Sequence, residues 1–325
     1  MMILSDSWGR IFKYLRVSVT DRCNYKCKYC CPHDTFVHIH HNKILRYEDI
    51  LFVVMVLTKY GLKKVRITGG EPLVRKGLVE FIKELNNVPG IEEITITTNG
   101  SLLDIYGLKL KEAGIKRINI SLDSLQADKY SFITGGFELD KIIRNINFAK
   151  ALGFDPIKIN TVIINGFNNN EILDFCEFAY HTGTIVRFIE FMPVGNIGWS
   201  YEKVYSSDNI LKVISTKYKF THINKSDGPS RNYKLSNGAT IGIISPITHH
   251  FCKTCDKLRL MANGSIRPCL LMNNEIDLFD IIKKKDESEF IQNLIEAFKL
   301  KNKEHNLIKE VTPKNNGKPM SSIGG

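Results

Sequence analysis

The chain has 325 residues, of which 43% are hydrophobic. That supports one large core, or one large core with a small appendage. No uninterrupted apolar run approaches the ~20 residues that a membrane span needs, and the first residues follow neither a secretory nor a transit pattern. We therefore expect a cytoplasmic protein with no membrane partner.

The formal net charge of +11 suggests a polyanionic partner, such as a nucleic acid, a membrane surface or a phosphorylated small molecule. An equally weighted alternative is that the abundant lysines reflect the coding bias of an AT-rich genome and lie on a solvated face. The sequence has no basic stripe interleaved with aromatic residues of the kind that binds single-stranded nucleic acid. We expect no nucleic-acid partner, although the charge alone does not decide this.

From Tyr14 to Met192, short β-type runs alternate with helix-period segments, which predicts parallel strands joined by crossover helices. Six strands are too few for a complete eight-stranded barrel but enough for an open one. Active sites of barrel folds lie at the C-terminal strand edge, where the polar motifs of this chain fall. The predicted strands are 15–19, 64–68, 93–97, 117–122, 157–163 and 185–191, and the predicted helices are 47–60, 78–85, 104–113, 139–152 and 171–181.

After Trp199 the pattern changes. A helix is predicted over 207–218, β-type runs over 233–235 and 239–244, a cysteine-bearing hairpin turning at Asn263-Gly264, and a charged helical region over 276–302. We therefore predict an α/β protein with a partial (β/α)6 TIM-type barrel over residues 1–199. Residues 200–325 would form an α+β extension packed across the open barrel.

Three cysteines form the spacing C-x3-C-x2-C after the first predicted strand, at Cys23, Cys27 and Cys30. Thiolates select zinc, copper(I) or iron–sulfur clusters, and four cysteines are the rule for a cluster that only carries electrons. A cluster held by three leaves one iron free to bind another ligand. The alternatives are a disulfide loop or a zinc site completed by His33. With aromatic Tyr29 before the third cysteine, the loop resembles the radical S-adenosylmethionine (SAM) enzymes, in which the open iron binds SAM.

Polar motifs follow the next three predicted strands. Gly69-Gly70-Glu71-Pro72 follows the second, where the glycines allow close backbone approach and Glu71 can meet an ammonium group. This motif matches the radical SAM element that holds the methionine amino group. The segments 97–100 and 121–124 add hydroxyls and a carboxylate suited to ribose and amino-acid contacts, although small polar residues are common in such loops.

A second set of cysteines, Cys252, Cys255 and Cys269, has the spacing C-x2-C-x13-C. With His249 or His250 it could form a Cys3His zinc site. Together with the first set, it resembles the auxiliary [4Fe–4S] cluster of one radical SAM family. Six of the eight cysteines thus fall in two spaced sets, a pattern typical of metal or redox chemistry rather than of a disulfide framework.

The segments 252–260, 267–270 and 320–325, with the two cysteine sets, resemble the GTP 3′,8-cyclases of molybdenum cofactor biosynthesis. The resemblance runs from about Arg16 to Gly325. It implies two [4Fe–4S] clusters, SAM as cofactor and GTP as substrate. It further implies a flavodoxin or ferredoxin as electron donor, a downstream cyclic pyranopterin monophosphate synthase, and a possible homodimer. The product would be (8S)-3′,8-cyclo-7,8-dihydroguanosine 5′-triphosphate, formed when a SAM-derived radical takes hydrogen from C3′ of GTP.

The resemblance also implies residue roles. The first cysteine set would hold the SAM cluster, and the second would hold a cluster whose open iron faces guanine. Fixed cations also suit a triphosphate on chemical grounds, and Lys257 stands where the family usually has Arg. The SAM contacts would be Tyr29, Gly69, Gly70, Glu71, Ser121 and Met192; the GTP contacts Arg16, Lys64, Arg66, Thr97, Lys158, Arg187, Lys257, Leu258 and Arg259; and the catalytic residues Arg259, Gly324 and Gly325.

Two other functions remain open at this point. One is a different radical SAM enzyme, such as a peptide-modifying maturase, which would keep the N-terminal motifs and change the substrate. The other is a zinc-stapled, basic nucleic-acid-binding protein. The lone three-cysteine second set followed by a Gly-Gly end weighs against the maturase.

Overall fold

The computed structural model describes residues 4–30, 37–194, 199–223, 228–305 and 318–324. The predictions for His33 and Gly325 therefore lie outside the described residues. Within the described ranges, no helix is both long enough and apolar enough to cross a membrane.

One sheet of twelve strands organises the described chain, in the order β12-β11-β10-β1-β2-β3-β4-β5-β6-β9-β8-β7. The strands are β1 (Tyr14–Ser18), β2 (Lys64–Thr68), β3 (Glu93–Thr98), β4 (Ile118–Ser121), β5 (Ile157–Ile163), β6 (Ile185–Glu190), β7 (Phe220–Ile223), β8 (Arg231–Leu235), β9 (Thr240–Ile244), β10 (Lys257–Leu260), β11 (Ser265–Arg267) and β12 (Ile276–Asp277).

Strands β1 to β6 are parallel neighbours in chain order, which confirms the predicted partial barrel. The extension adds one further parallel strand at each side, because β10 pairs with β1 and β9 pairs with β6. These additions cover the two open edges, whose backbone groups would otherwise lack partners. The sheet is thus continuous across residue 199, and the division into two domains there stays a prediction.

All the described helices but the last pack on the outer face of the sheet, and the last lies on its concave side. They are α1 (Tyr47–Thr58), α2 (Leu78–Asn86), α3 (Leu103–Glu112), α4 (Ala127–Thr134), α5 (Leu139–Ala151), α6 (Ile172–Thr182), α7 (Ser207–Ser215), α8 (Phe279–Lys284), α9 (Glu287–Lys299) and α10 (Met320–Ile323). The sequence pattern missed α4, α10 and β7, and it assigned Ile276–Asp277 to the charged helical region, where the structure has β12. The single charged helical region is divided into α8 and α9, because Lys285 adopts a left-handed backbone with φ 56° and Asp286 then caps α9.

Side chains alternate along the parallel strands with a period of two, as a pleated backbone requires. The apolar set, for example Leu15 and Val17 on β1, is fully buried in the core beneath the helices. The other set is largely polar and faces the concave side, where Arg16 on β1 lies level with Arg66 on β2 and Arg259 on β10. A barrel interior built this way leaves a cavity that carries charged and polar side chains, rather than a packed core.

Candidate active site

A cavity of about 310 Å³ lies on the concave side of the sheet, towards the C-terminal ends of β1 to β6. All six cysteines of the two predicted sets line it. The remaining lining includes eleven predicted contact residues, namely Tyr29, Gly69, Gly70, Ser121, Met192, Arg16, Arg66, Thr97, Arg187, Lys257 and Arg259. The cavity therefore brings together most of the site residues predicted from the sequence.

The segment that leads into the first cysteine loop (Cys23–Cys30) packs directly against the Gly69-Gly70 turn. The amide of Gly70 donates to the Thr20 carbonyl at 2.7 Å, and that of Glu71 donates to the Arg22 carbonyl at 2.8 Å. A Cβ on Gly70 would stand 2.2 Å from the Arg22 carbonyl oxygen, well inside contact distance. The double glycine is thus required because two backbone segments meet there.

Glu71 does not line the cavity. Its fully buried carboxylate accepts hydrogen bonds from the Leu73 amide at 3.0 Å, the Thr98 hydroxyl at 2.7 Å and the Asn99 amide at 2.7 Å. Burial raises its pKa to about 7, against the lowering effect of these hydrogen bonds. In this structure the side chain fastens the end of β3 to the glycine turn, and the expected contact of Glu71 with an ammonium group stays a prediction.

Tyr29 and Asp123 connect the first cysteine loop to the end of β4. The Tyr29 hydroxyl donates to the Asp123 carboxylate at 2.6 Å, whose other oxygen accepts from the Val162 amide at 2.8 Å. Burial raises the pKa of Asp123 to about 6, and burial together with the Asp123 charge raises that of Tyr29 well above its usual value. The hydrogen bond between Tyr29 and Asp123 fixes the position of the first cysteine loop relative to β4.

The second cysteine set is drawn together by segments remote in sequence. Cys252 and Cys255 precede β10, and Cys269 follows β11, so the β10–β11 hairpin closes the set. The Arg10 guanidinium donates to the Cys252 carbonyl at 2.9 Å. The Lys301 ammonium lies 3.6 Å from the Cys255 sulfur. Although burial opposes it, Lys301 and Lys257 bring the pKa of the Cys255 thiol below its usual value.

Four arginines, Arg16, Arg66, Arg187 and Arg259, face the cavity from four strands. Burial, followed by repulsion from Arg66, lowers the pKa of Arg187 to about 9, and burial lowers that of Arg259 to about 10. Burial and Arg259 likewise lower the pKa of Arg16. The clustered guanidiniums repel one another, and a polyanion bound between them would relieve that repulsion.

Several buried polar atoms of the cavity lining have no hydrogen-bond partner within the described part of the chain. They are the Tyr14 hydroxyl, the Thr97 hydroxyl, the Asn160 amide oxygen and Nε of Arg187. Buried polar groups are normally paired. A bound molecule rich in hydroxyl and amide groups would satisfy them.

The C-terminal tail (residues 318–324) borders this cavity, whose lining includes Met320. Ser321, Ser322 and Ile323 are buried, and the Arg259 guanidinium donates to the Gly324 carbonyl at 3.0 Å. Gly324 has φ 69°, and a Cβ there would lie 2.7 Å from the Thr68 hydroxyl. A glycine is thus needed for both the backbone conformation and the space.

Three further predicted contacts are not among the lining residues. Lys64 lies 3.5 Å from Glu93 and is 40% exposed, and Lys158 is half-buried on β5. The side chain of Leu258 packs in the core, because it is offset by one residue from Lys257 and Arg259. Only backbone atoms of Leu258 are therefore available to a ligand on the concave side.

Sequence reasoning missed Tyr14, Asn160 and Lys301. Strand alternation could have found the first two. Tyr14 stands two residues before the inward-facing Arg16, and Asn160 lies in register with Ser121. Lys301 follows α9, and nothing in its local pattern connects it to Cys255.

Among the described residues, no three His, Cys, Asp or Glu side chains converge closely enough to hold a single metal ion. Each cavity-facing set instead offers three cysteine sulfurs as donors. This donor set suits an iron–sulfur cluster that keeps one iron open.

Two family descriptions match the chain. Residues 17–179 match the Radical SAM superfamily and residues 184–307 match Molybdenum Cofactor Synthesis C. Solved structures with the same fold include Streptococcus suis SuiB bound to precursor peptide SuiA (TM-score 0.62, 16% identity, 99% of this chain and 77% of that one) and anSMEcpe with bound AdoMet (TM-score 0.61, 17% identity, 91% and 85%). The fold and the cysteine loop thus define a radical SAM enzyme.

Full-length relatives narrow this class. GTP 3′,8-cyclase from Petrotoga mobilis is 44% identical over 98% of this chain and 99% of that protein. The enzyme from Peptoclostridium acidaminophilum is 42% identical over 94% of both, and that from Listeria monocytogenes is 39% identical over the full length of both. The chain belongs to the GTP 3′,8-cyclase family. This membership confirms the predicted family and sets aside the zinc-stapled alternative.

Proposed function

We infer that this chain converts GTP to (8S)-3′,8-cyclo-7,8-dihydroguanosine 5′-triphosphate, the first step of molybdenum cofactor biosynthesis. Family membership supports the reaction, with two [4Fe–4S] clusters and SAM as cofactors. The observation that carries the assignment is that both cysteine sets and the four arginines line one cavity. The precursor of a radical and an anionic substrate can therefore meet there.

Residues beside the first cysteine loop would bind SAM. Cys23, Cys27 and Cys30 would hold the cluster that supplies the electron for cleavage of SAM to methionine and a 5′-deoxyadenosyl radical. Ser121 and Met192 line the cavity near this loop. We assign them to SAM together with Gly69, Gly70 and the Tyr29 backbone. Glu71 fastens the glycine turn to the end of β3, and its contact with the SAM ammonium group is part of the same proposal.

The arginine row would bind the triphosphate, because planar guanidiniums match phosphate oxygens with paired hydrogen bonds. Arg66 and Arg187 are the central candidates, and Lys257 supplies a further cation at the cavity wall. Thr97, with an unpaired buried hydroxyl, would receive a ribose or base group. Lys64 and Lys158 stay proposals as more distant cations.

The C-terminal tail would close the cavity on the substrate. The Gly324 carbonyl holds the Arg259 guanidinium, so both groups have fixed positions at the point where the second cysteine set and the arginine row meet. We assign Arg259, Gly324 and Gly325 to orienting the substrate for reaction.

Three further elements of the proposal concern context. A flavodoxin or ferredoxin would supply the electron, a cyclic pyranopterin monophosphate synthase would take the product, and two chains could form a homodimer. We place the reaction in the cytoplasm, where GTP and SAM are available. The surplus positive charge is assigned to the triphosphate rather than to a nucleic acid.

The test is anaerobic incubation of the reconstituted protein with GTP, SAM and dithionite, followed by mass analysis. We expect 5′-deoxyadenosine and a cyclised nucleotide in equal amounts. Cleavage of SAM without any change in GTP, under conditions in which both clusters are present, would instead favour the maturase alternative.

A further inference from the structure

A buried lysine lies beside the second cysteine set. The side chain of Lys301 has its ammonium 3.6 Å from the Cys255 sulfur and 3.1 Å from the Lys257 carbonyl oxygen. The residue is 3% exposed, and its ammonium lies 4.5 Å from the centre of the Phe12 ring. A cation is rarely buried this deeply unless an opposite charge compensates for the lost hydration.

The backbone around Lys301 is fixed by the N-terminal segment. The Trp8 indole donates to the Lys301 carbonyl at 3.0 Å. The Arg10 guanidinium donates to the Asn302 carbonyl at 2.8 Å and the Lys303 carbonyl at 3.2 Å, as well as to the Cys252 carbonyl. The lysine is therefore held against the cysteine loop by contacts that do not depend on its own side chain.

The charged groups around the Lys301 ammonium indicate which negative charge compensates for its burial. Arg10, the neighbouring buried cation, is paired with Asp6, whose carboxylate oxygen lies 2.5 Å from Nε. The Lys301 ammonium donates hydrogen bonds to the Cys255 sulfur and to the neutral Lys257 carbonyl. The negative charge next to Lys301 is therefore the thiolate of the cluster site.

We propose that Lys301 is a positioning residue of the second cluster, which donates a charge-assisted hydrogen bond to the Cys255 thiolate and raises the reduction potential of that cluster. Three thiolates on an oxidised [4Fe–4S] core leave a net negative charge, and reduction adds another. A fixed ammonium stabilises the more negative, reduced form, and hydrogen bonds to cluster sulfurs are a recognised determinant of potential. The inference rests on the proposed function only in requiring that the second set holds a cluster.

The experiment is an EPR-monitored redox titration of the full-length, reconstituted protein, with and without SAM. The signal that SAM perturbs belongs to the first cluster, so the other reports on the second. Lys301→Met should shift the second potential to a more negative value and leave the first unchanged. Lys301→Arg, which keeps the charge, should retain most of the wild-type potential.

Lys303→Met is the matched control, because it removes an exposed lysine two residues away. A wild-type potential in Lys301→Met, or an equal shift in Lys303→Met, would overturn the proposal. If Lys301→Met does not retain the second cluster, Lys301→Gln provides the same comparison. Because the titration needs no GTP turnover, a failure of the cyclase assay would not be mistaken for a failure of this inference.

Discussion

The two cysteine sites face one cavity but are built differently. The first has its three cysteines in one short loop after β1. The residues that lead into this loop accept two backbone hydrogen bonds from the glycine turn after the adjacent strand β2, and Tyr29 within the loop also bonds to Asp123 after β4. The second depends on parts of the chain that are far apart. Arg10 donates a hydrogen bond to the Cys252 carbonyl, and Lys301 donates one to the Cys255 sulfur. One site is thus a strand-end motif, and the other is a product of tertiary assembly.

The difference explains which changes should damage which site. Changes in the glycine turn act on the first cysteine loop through backbone contact, while the second set lies on the far side of β1 in the sheet order. Changes in the N-terminal segment or after α9 act on the second. Both groups of contacts must be in place for the two cysteine sets to face the same cavity.

The largest effects should come from the cysteines. Cys27→Ala should abolish SAM cleavage because the first cluster loses one of its thiolates. Cys255→Ala should chiefly damage GTP binding and product formation, while SAM cleavage persists. Iron analysis with separate assays of 5′-deoxyadenosine and cyclised nucleotide distinguishes them. If Cys255→Ala abolished SAM cleavage as fully as Cys27→Ala, the two sites could not have separate roles.

Gly70→Ala should remove the first site and spare the second. The added Cβ would lie 2.2 Å from the Arg22 carbonyl oxygen, so the loop has to move. We expect about half the wild-type iron and no SAM cleavage. Gly107→Ala is the control, because its Cβ would meet only side-chain carbons of Leu152 and Phe148. Full iron content in Gly70→Ala would contradict the packing argument.

The tail should matter for product but not for either cluster. Deleting Gly324 and Gly325, or making Gly324→Ala, should leave iron content and GTP affinity largely intact while eliminating cyclised product. The alanine Cβ would lie 2.7 Å from the Thr68 hydroxyl. Lys318→Ala, which removes an exposed ion pair with Glu275, should be neutral. Normal turnover by the truncated chain would mean that the terminus is dispensable.

Substrate cations should show smaller, selective effects. Arg66→Ala should weaken GTP binding by about 1–3 kcal/mol, as expected for hydrogen bonds to charged groups, with SAM affinity unchanged. Lys158→Ala is predicted to act in the same direction, and its position outside the cavity lining leads us to expect a smaller loss. Calorimetric titration with each ligand measures both. Equal losses for GTP and SAM would indicate a folding defect.

The smallest effect concerns pH. The pKa of Glu71 rises from 4.5 to about 7 on burial, so the folded chain holds a proton that the unfolded chain has lost between these values. The free energy of unfolding should therefore decrease as pH rises through this window. Glu71→Gln should flatten that slope in denaturant titrations, whatever its effect on absolute stability. An unchanged slope would show that Glu71 does not titrate there.

The sequence predicted the parallel strands and the first site because both are local patterns. Period-two alternation and the spacing from Cys23 to Cys30 lie within single β/α units. The second site was recognised only through family resemblance. Arg10 and Lys301 hydrogen-bond to its cysteines, but nothing in the sequence around either residue indicates these contacts. The use of β9 and β10 to extend the sheet at both edges also depends on long-range pairing. Spacing does not specify where a carboxylate points, so the hydrogen bonds of Glu71 to Leu73, Thr98 and Asn99 were not predicted.

The most direct test of the shared cavity uses GTP deuterated at C3′. If the SAM-derived radical and the substrate meet there, the 5′-deoxyadenosine formed during anaerobic turnover should carry one deuterium from GTP, and its amount should match that of the cyclised nucleotide. Unlabelled 5′-deoxyadenosine alongside cyclised product would show that hydrogen is not taken from that carbon, and it would contradict the account.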